Sequence, residues 1–183
     1  MNKNLLLKIS FYVGIFGMIS TVSGTFVEGG SILQKVLFLI GASILTATAF
    51  ISRHKMYSAL EVIVVIGTVL AFFSSVSTYL RYAIMLFPAI FAIGYLLKIK
   101  YFHGDKFGIV GGTGLVTLAC GFATDAITMP VAFYLLLFVS ALLLALYSLL
   151  QIVFYRTKIA WLWMILNIVF AFGPAISLIK MLK

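Results

Sequence analysis

A chain of 183 residues that is 64% hydrophobic and only 9% charged, against roughly 25% charged in an average soluble domain, lacks the polar surface that a water-soluble fold requires. Its net charge of +9 does not point to nucleic acid, because the thirteen basic residues stand in ones, twos and threes between apolar runs instead of forming a patch. The single cysteine, Cys120, excludes an intramolecular disulfide and any CxxC redox or zinc site.

A transmembrane helix takes about 20 apolar residues, and the chain offers seven such runs joined by short loops. The expected class is therefore all-α, a polytopic helical membrane protein with the lipid bilayer as its first partner. Lys3 and Lys8 precede the first run, residues 9–26, in the manner of a signal-peptide n-region. More membrane follows in place of a soluble mature domain, so an uncleaved first span is expected. Ser10, Gly14, Gly17, Thr21 and Gly24 recur on one face of it, a small-residue stripe suited to helix packing. The turn at residues 27–31, VEGGS, carries Glu28. The second span covers residues 32–51, with Lys35 able to snorkel to the near interface, and residues 52–55, SRHK, form a tight basic loop. His54 there has no second ligand at metal spacing.

The third span, residues 56–76, holds an acid well inside an apolar run. Glu61 lies about 8 Å along the helix from the basic loop at 1.5 Å per residue, on a face shared with Tyr57, Thr68 and Ser75. An ionisable group at that depth is costly unless it faces protein or water. Two readings stay open: a site residue, or a structural partner of Arg53 or Lys55 at the interface. The fourth span, residues 80–97, is entered through Arg81 and interrupted by Pro88, which frees a backbone carbonyl. Residues 98–106, KIKYFHGDK, form the longest polar segment, and its His103 and Asp105 read as a loop turn.

Residues 107–125, FGIVGGTGLVTLACGFATD, make the fifth span. Gly108 and Gly112 form a GxxxG, Ala119 and Ala123 a looser small pair, and Thr113, Thr117, Cys120 and Thr124 a mildly polar stripe. Lipid gains nothing from such a stripe, so this helix is expected to be the packing hub, with another backbone close against Gly108 and Gly112. Pro130 opens the sixth span, residues 131–154, with Ser140, Tyr147 and Gln151 on one face. The seventh span, residues 159–179, carries Trp161, Trp163, Asn167 and the Gly173-Pro174 break. Asn167 falls about 13 Å along that helix from Lys158, near the bilayer centre, where an amide needs a partner or a bound solute. The tryptophans suit an interfacial aromatic belt.

Seven spans with a cytoplasmic N-terminus leave Lys3, Lys8, Arg53, Lys55, Lys98, Lys100, Lys106, Arg156 and Lys158 inside. Only Lys35, Arg81, Lys180 and Lys183 fall outside, together with Glu28 and Asp125. The bias of nine to four follows the positive-inside rule and predicts a multi-pass cell-membrane protein with its C-terminus outside. A shift of 103 residues superimposes Arg53 on Arg156, Lys55 on Lys158, and Ser10, Gly14, Gly17 and Thr21 on Thr113, Thr117, Cys120 and Thr124. Residues 1–183 then form one transmembrane domain in a 3+1+3 parallel pseudo-repeat: a first half at 1–78, a linker span and loop at 79–106, and a second half at 107–183. Asn167 falls opposite Val64, one turn from Glu61.

Such a repeat resembles the architecture of the SWEET sugar transporters and the PnuC vitamin transporters. The cytoplasmic N-terminus is closer to PnuC, and residues 151–167, QIVFYRTKIAWLWMILN, are similar to the glutamine, basic-turn, tryptophan and asparagine run near the end of PnuC proteins. The spacing here is tighter, and the first half lacks the aromatic-rich signature. The resemblance implies a nicotinamide-riboside-like solute. From the residues, Glu61, Gln151 and Asn167 are the candidate polar contacts of a solute between the halves, Tyr147 and Trp163 its apolar walls, and Pro88 and Pro174 the flexing points. The alternative is a non-catalytic membrane subunit that packs against a larger assembly, or a homo-oligomer. The sequence holds no GxSxG, HExxH or paired intramembrane carboxylates, so neither enzyme, metal nor cofactor is expected.

Overall fold

In lipid every backbone N–H and C=O must find its partner within the protein, which makes helices of the apolar runs. A computed structural model describes residues 3–52, 55–156 and 160–183, with the side chains of residues 3–8, 10 and 162 outside the description. Arg53, His54 and Lys158, and the side chains of Lys3, Lys8 and Ser10, therefore lie outside the described residues. The chain forms α1 (Lys3–Thr25), α2 (Ile32–Ser52), α3 (Lys55–Leu70), α4 (Thr78–Lys98), α5 (Tyr101–Gly104), α6 (Gly108–Ala123), α7 (Pro130–Tyr155) and α8 (Ala160–Met181), with no strand among the described residues. Helices α2, α4, α7 and the Trp163–Met181 part of α8 are long and apolar enough to cross a membrane, and Phe11–Thr25 and Gly108–Ala123 are shorter apolar helices.

Six helices close a ring in the order α1, α2, α3, α6, α7, α8, with α8 returning to α1. Helix α4 stands outside the ring against α3 and α6, and its outward residues Leu86, Phe87, Ile90 and Phe91 are exposed. Exposure of that much apolar surface is at home in a hydrocarbon solvent.

Small residues set the crossings. A Cβ on Gly17 would lie 3.1 Å from the Gly41 carbonyl oxygen and one on Gly41 2.8 Å from that of Gly17, while Gly14 faces Thr48 and Gly24 faces Phe38. The stripe expected in the first span thus packs on α2. In α6 the outcome differs from the GxxxG expectation. A Cβ on Gly112 would meet only Leu60 Cδ1, at 3.4 Å, and one on Gly108 would meet the side chains of Tyr101 and Phe102. Neither faces a helix backbone. The close partner is Gly67 of α3, where a Cβ would lie 2.6 Å from the Ala119 carbonyl oxygen. Gly111, Gly114 and Gly121 instead seat the α7 side chains Tyr147, Leu144 and Leu137. The hub is real, but it faces α7 through one row of glycines and α3 through Ala119.

The third helix ends at Leu70, six positions short of the expected 76, because the carbonyls beyond it are taken by a side chain. Arg81, 2% exposed, donates from Nε to Val76 O (2.9 Å), from Nη2 to Phe73 O (2.9 Å) and from Nη1 to Ala123 O (3.2 Å). Its Nη2 also lies 3.9 Å from Asp125 Oδ2. Ser75, expected on the Glu61 face, consequently sits exposed in the α3–α4 turn. Asp125 N donates to Thr78 Oγ1 at 3.3 Å, and the Tyr82 and Thr124 hydroxyls share a hydrogen bond. One end of the bundle is thereby tied between α4 and α6. At the same end, buried Gln34 closes the VEGGS turn by donating to Gly24 O and accepting from Gly30 N, whose residue adopts φ +79°.

Two stability outcomes follow from these contacts. Gly67→Ala forces the Ala119 backbone away and should cost about 1–3 kcal/mol, whereas Gly94→Ala, with open space at its Cβ, should leave the melting temperature in detergent unchanged. Arg81→Met takes a donor from three carbonyls, of which Phe73 O keeps Val76 N, and removes the Asp125 partner, and should lower stability by on the order of 3 kcal/mol in the same assay.

Candidate functional site

The ring helices line a partly open cavity of about 40 Å³, room for a few water molecules. Each ring helix contributes to its wall: Met18 and Thr21 from α1, Leu45 from α2, Tyr57 and Glu61 from α3, Leu115 and Leu118 from α6, Ala141 and Leu144 from α7, and Trp163, Asn167 and Phe170 from α8. The outlying α4 contributes none. The wall is mostly apolar, with Thr21, Tyr57, Glu61 and Asn167 as its polar interruptions.

The three expected residues Glu61, Trp163 and Asn167 meet here. Glu61 is 6% exposed and makes no hydrogen bond or ion pair with another described residue; the one ion pair among the described residues is that of Arg81 and Asp125. The structural alternative for Glu61, an interfacial pair, is therefore not formed with Lys55, and Arg53 lies outside the described residues. Asn167 uses its Nδ2 on the Trp163 carbonyl one turn back, at 2.8 Å, and its Oδ1 accepts no hydrogen bond from a described residue. Thr21 likewise turns its proton inward to Gly17 O, keeping lone pairs to offer. The cavity thus presents acceptors, one of them a carboxyl group, against a background of aliphatic and aromatic carbon. No side-chain polar atom among the described residues is both fully buried and without a partner, so these oxygens reach the open space of the cavity, where water or a solute with donor groups can meet them.

Tyr57 and Trp163 wall the cavity toward the end that carries Lys55, Lys98 to Lys106 and Arg156. Their rings stack, with centroids 6.3 Å apart and planes 21° apart. Tyr147 extends this row, 6.4 Å from Tyr57, within the range of favourable aromatic pairs. Tyr147 and Gln151, expected as solute contacts, are outside the cavity lining, and both donate to Asp105. Asp105 Oδ2 accepts from Tyr147 OH at 2.6 Å, Gln151 Nε2 at 3.1 Å and Tyr101 OH at 3.3 Å, while Oδ1 accepts from Phe107 N at 3.1 Å. Burial, and secondarily the charge of Asp105, pushes the Tyr101 hydroxyl up to about 12, so it stays a donor at neutral pH.

Asp105 is the residue that sequence reasoning missed. Its main partners lie 42 and 46 positions away, and HGD in a polar loop carries no local sign of them. Tyr57 was legible only as a neighbour of Glu61 on one helix face. Of the proposed flexing points, Pro174 is inside α8 and buried, and Pro88 is inside α4, off the cavity.

A smaller hollow of about 20 Å³ opens at the opposite end, lined among others by Gln34, Lys35, Arg81 and Asp125. Its guanidinium is already committed to three carbonyls and a carboxylate, so it acts as a tie and leaves little donor capacity for an anion. Among the described residues no group of His, Cys, Asp and Glu could hold a metal ion. Comparison of the chain with protein-family models, curated protein sequences and solved structures returns no match.

Proposed function

We propose that this chain is a multi-pass membrane protein that binds and passes a small solute through the cavity between its two halves. The observation that carries the reading is the pairing of Glu61 and Asn167, one from each half, both buried, both with acceptor oxygens unclaimed by described residues, and both in the wall of one cavity. Intramembrane ionisable groups are retained where they meet a solute or an ion, and parallel-repeat carriers hold their sites near the midplane between repeats.

The 3+1+3 arrangement belongs to the same proposal. Seven of the eight helices act as spans, α5 being a loop turn, with α1 to α3 and α6 to α8 as the halves and α4 as the linker. Its support is the pattern of contacts: the middle helix of each half packs on both neighbours, and the junctions α3 with α6 and α1 with α8 interchange when the halves are exchanged. The lining suits a solute that is small, partly apolar and rich in hydrogen-bond donors, and the cavity, about 40 Å³ here, widens to take it. A second reading, a membrane subunit without transport activity, draws on the exposed apolar face of α4, which suits a partner helix as well as lipid.

The deciding experiment is mass spectrometry of small molecules retained by the protein purified in mild detergent, followed by binding of the identified compound. Glu61→Gln and Asn167→Leu should each weaken binding about tenfold or more, as expected for one hydrogen bond to a buried acceptor. Unchanged binding in both variants, or stoichiometric partner chains and no retained solute, would favour the subunit. For topology, reporter fusions after Lys55, Lys106 and residue 158 should read cytoplasmic and one after Lys183 external. A cytoplasmic reading at Lys183 would remove the seven-span arrangement.

A further inference from the structure

Asp105 has no place in the solute site, yet it is the most heavily hydrogen-bonded carboxylate among the described residues. Four donors converge on it, two from the loop that joins α4 to α6 and two from α7. No cation lies within ion-pair distance among the described residues, so the carboxylate is held by neutral donors alone, each strengthened by its charge. Those two α7 donors are one turn apart, and the first is Tyr147, whose ring completes the Tyr57–Trp163 row at the end of the cavity. Tyr147 has room for that position because its ring rests on Gly111, where a Cβ would come within 2.8 Å of it.

The arrangement has the parts of a latch. Tyr57 and Trp163 line the cavity on its basic side, Tyr147 stands against Tyr57, and Tyr147 is fixed by a loop that belongs to neither half's helices. Turning the Tyr147 side chain aside breaks its 2.6 Å bond, and sliding α7 away from the loop breaks the Gln151 bond as well. We propose that Asp105 is a positioning residue that latches an inner gate, holding Tyr147 and Gln151 so that the Tyr57, Tyr147 and Trp163 rings close the cavity at its basic end. This rests on the reading of the cavity as a solute site.

The test needs no knowledge of the solute. In the full chain with Cys120→Ser, the cavity residue Ala141 is replaced by Cys, and the introduced thiol is challenged with a membrane-impermeant maleimide from either face of membrane vesicles. The parent should be protected from the basic-end face. Asp105→Asn leaves one acceptor oxygen where the carboxylate had two and should raise the labelling rate from that face about tenfold or more, with no change from the opposite face. Tyr147→Phe removes the hydroxyl alone and should do the same, and it decides the matter should Asp105→Asn fail to fold. Unchanged labelling, an equal rise from both faces, or a parent already labelled rapidly from the basic end would overturn the latch. Because solute binding is measured separately, a failed latch leaves the binding result standing, and a failed binding result leaves the accessibility result standing.

Discussion

The fold depends on one close approach, that of α3 to α6 at Gly67 and Ala119. Between helices in lipid there is no hydrophobic driving force of the kind water supplies, so association relies on packing and on polar contacts. Where a glycine lets one backbone meet the carbonyl of another, dispersion contacts accumulate along both helices, and the crossing becomes fixed in register. This crossing joins α3, which carries Tyr57 and Glu61, to α6, whose other glycines seat Leu137, Leu144 and Tyr147 of α7. A shift at Gly67 would therefore be felt at both walls of the cavity. The second junction, α1 with α8, is slighter, which leaves the ring held firmly on one side and more loosely on the other.

Polar side chains then fix the two ends of the bundle in different ways. At one end Arg81 gathers three carbonyls and Asp125, tying the start of α4 to the end of α6. At the basic end Asp105 gathers two hydroxyls, an amide and a backbone N–H, tying the loop before α6 to α7. The first tie uses a buried cation with its donors directed at main-chain oxygens, a geometry that costs several kcal/mol to break. The second uses neutral donors gathered on a carboxylate, and water can take the place of each of them.

Between the ties, Glu61 and Asn167 retain oxygens unclaimed by described residues in an apolar cavity, while many Ser and Thr hydroxyls of the bundle are turned back on their own helix. Thr21, Thr46, Thr48, Thr68, Ser140 and Ser148 each donate to a carbonyl three or four residues earlier. That local pairing is the ordinary way for small polar residues to be accommodated in apolar surroundings. The Glu61 and Asn167 oxygens are not engaged in this way and stay directed at the cavity.

Much of this was legible in the chain itself. Composition and the length of the apolar runs dictated helices, because lipid allows little else, and Gly17 on its small-residue stripe correctly signalled a close helix contact. Glu61 and Asn167 were visible because a polar group deep in an apolar run is rare for an energetic reason that requires no structure. What the sequence left undetermined was partnership over distance. Helical periodicity places a residue on a face but does not say which helix the face meets, so Gly108 and Gly112 were assigned a backbone neighbour that Gly67 and Ala119 in fact provide. In the same way Tyr147 and Gln151 carry the side chains of a solute site, yet the fold turns them to Asp105, which lies in a loop with no pattern to betray it. Only the packing of α6 against α7 decides that, since it brings together residues more than forty positions apart, and their hydrogen bonds exist nowhere in the local sequence.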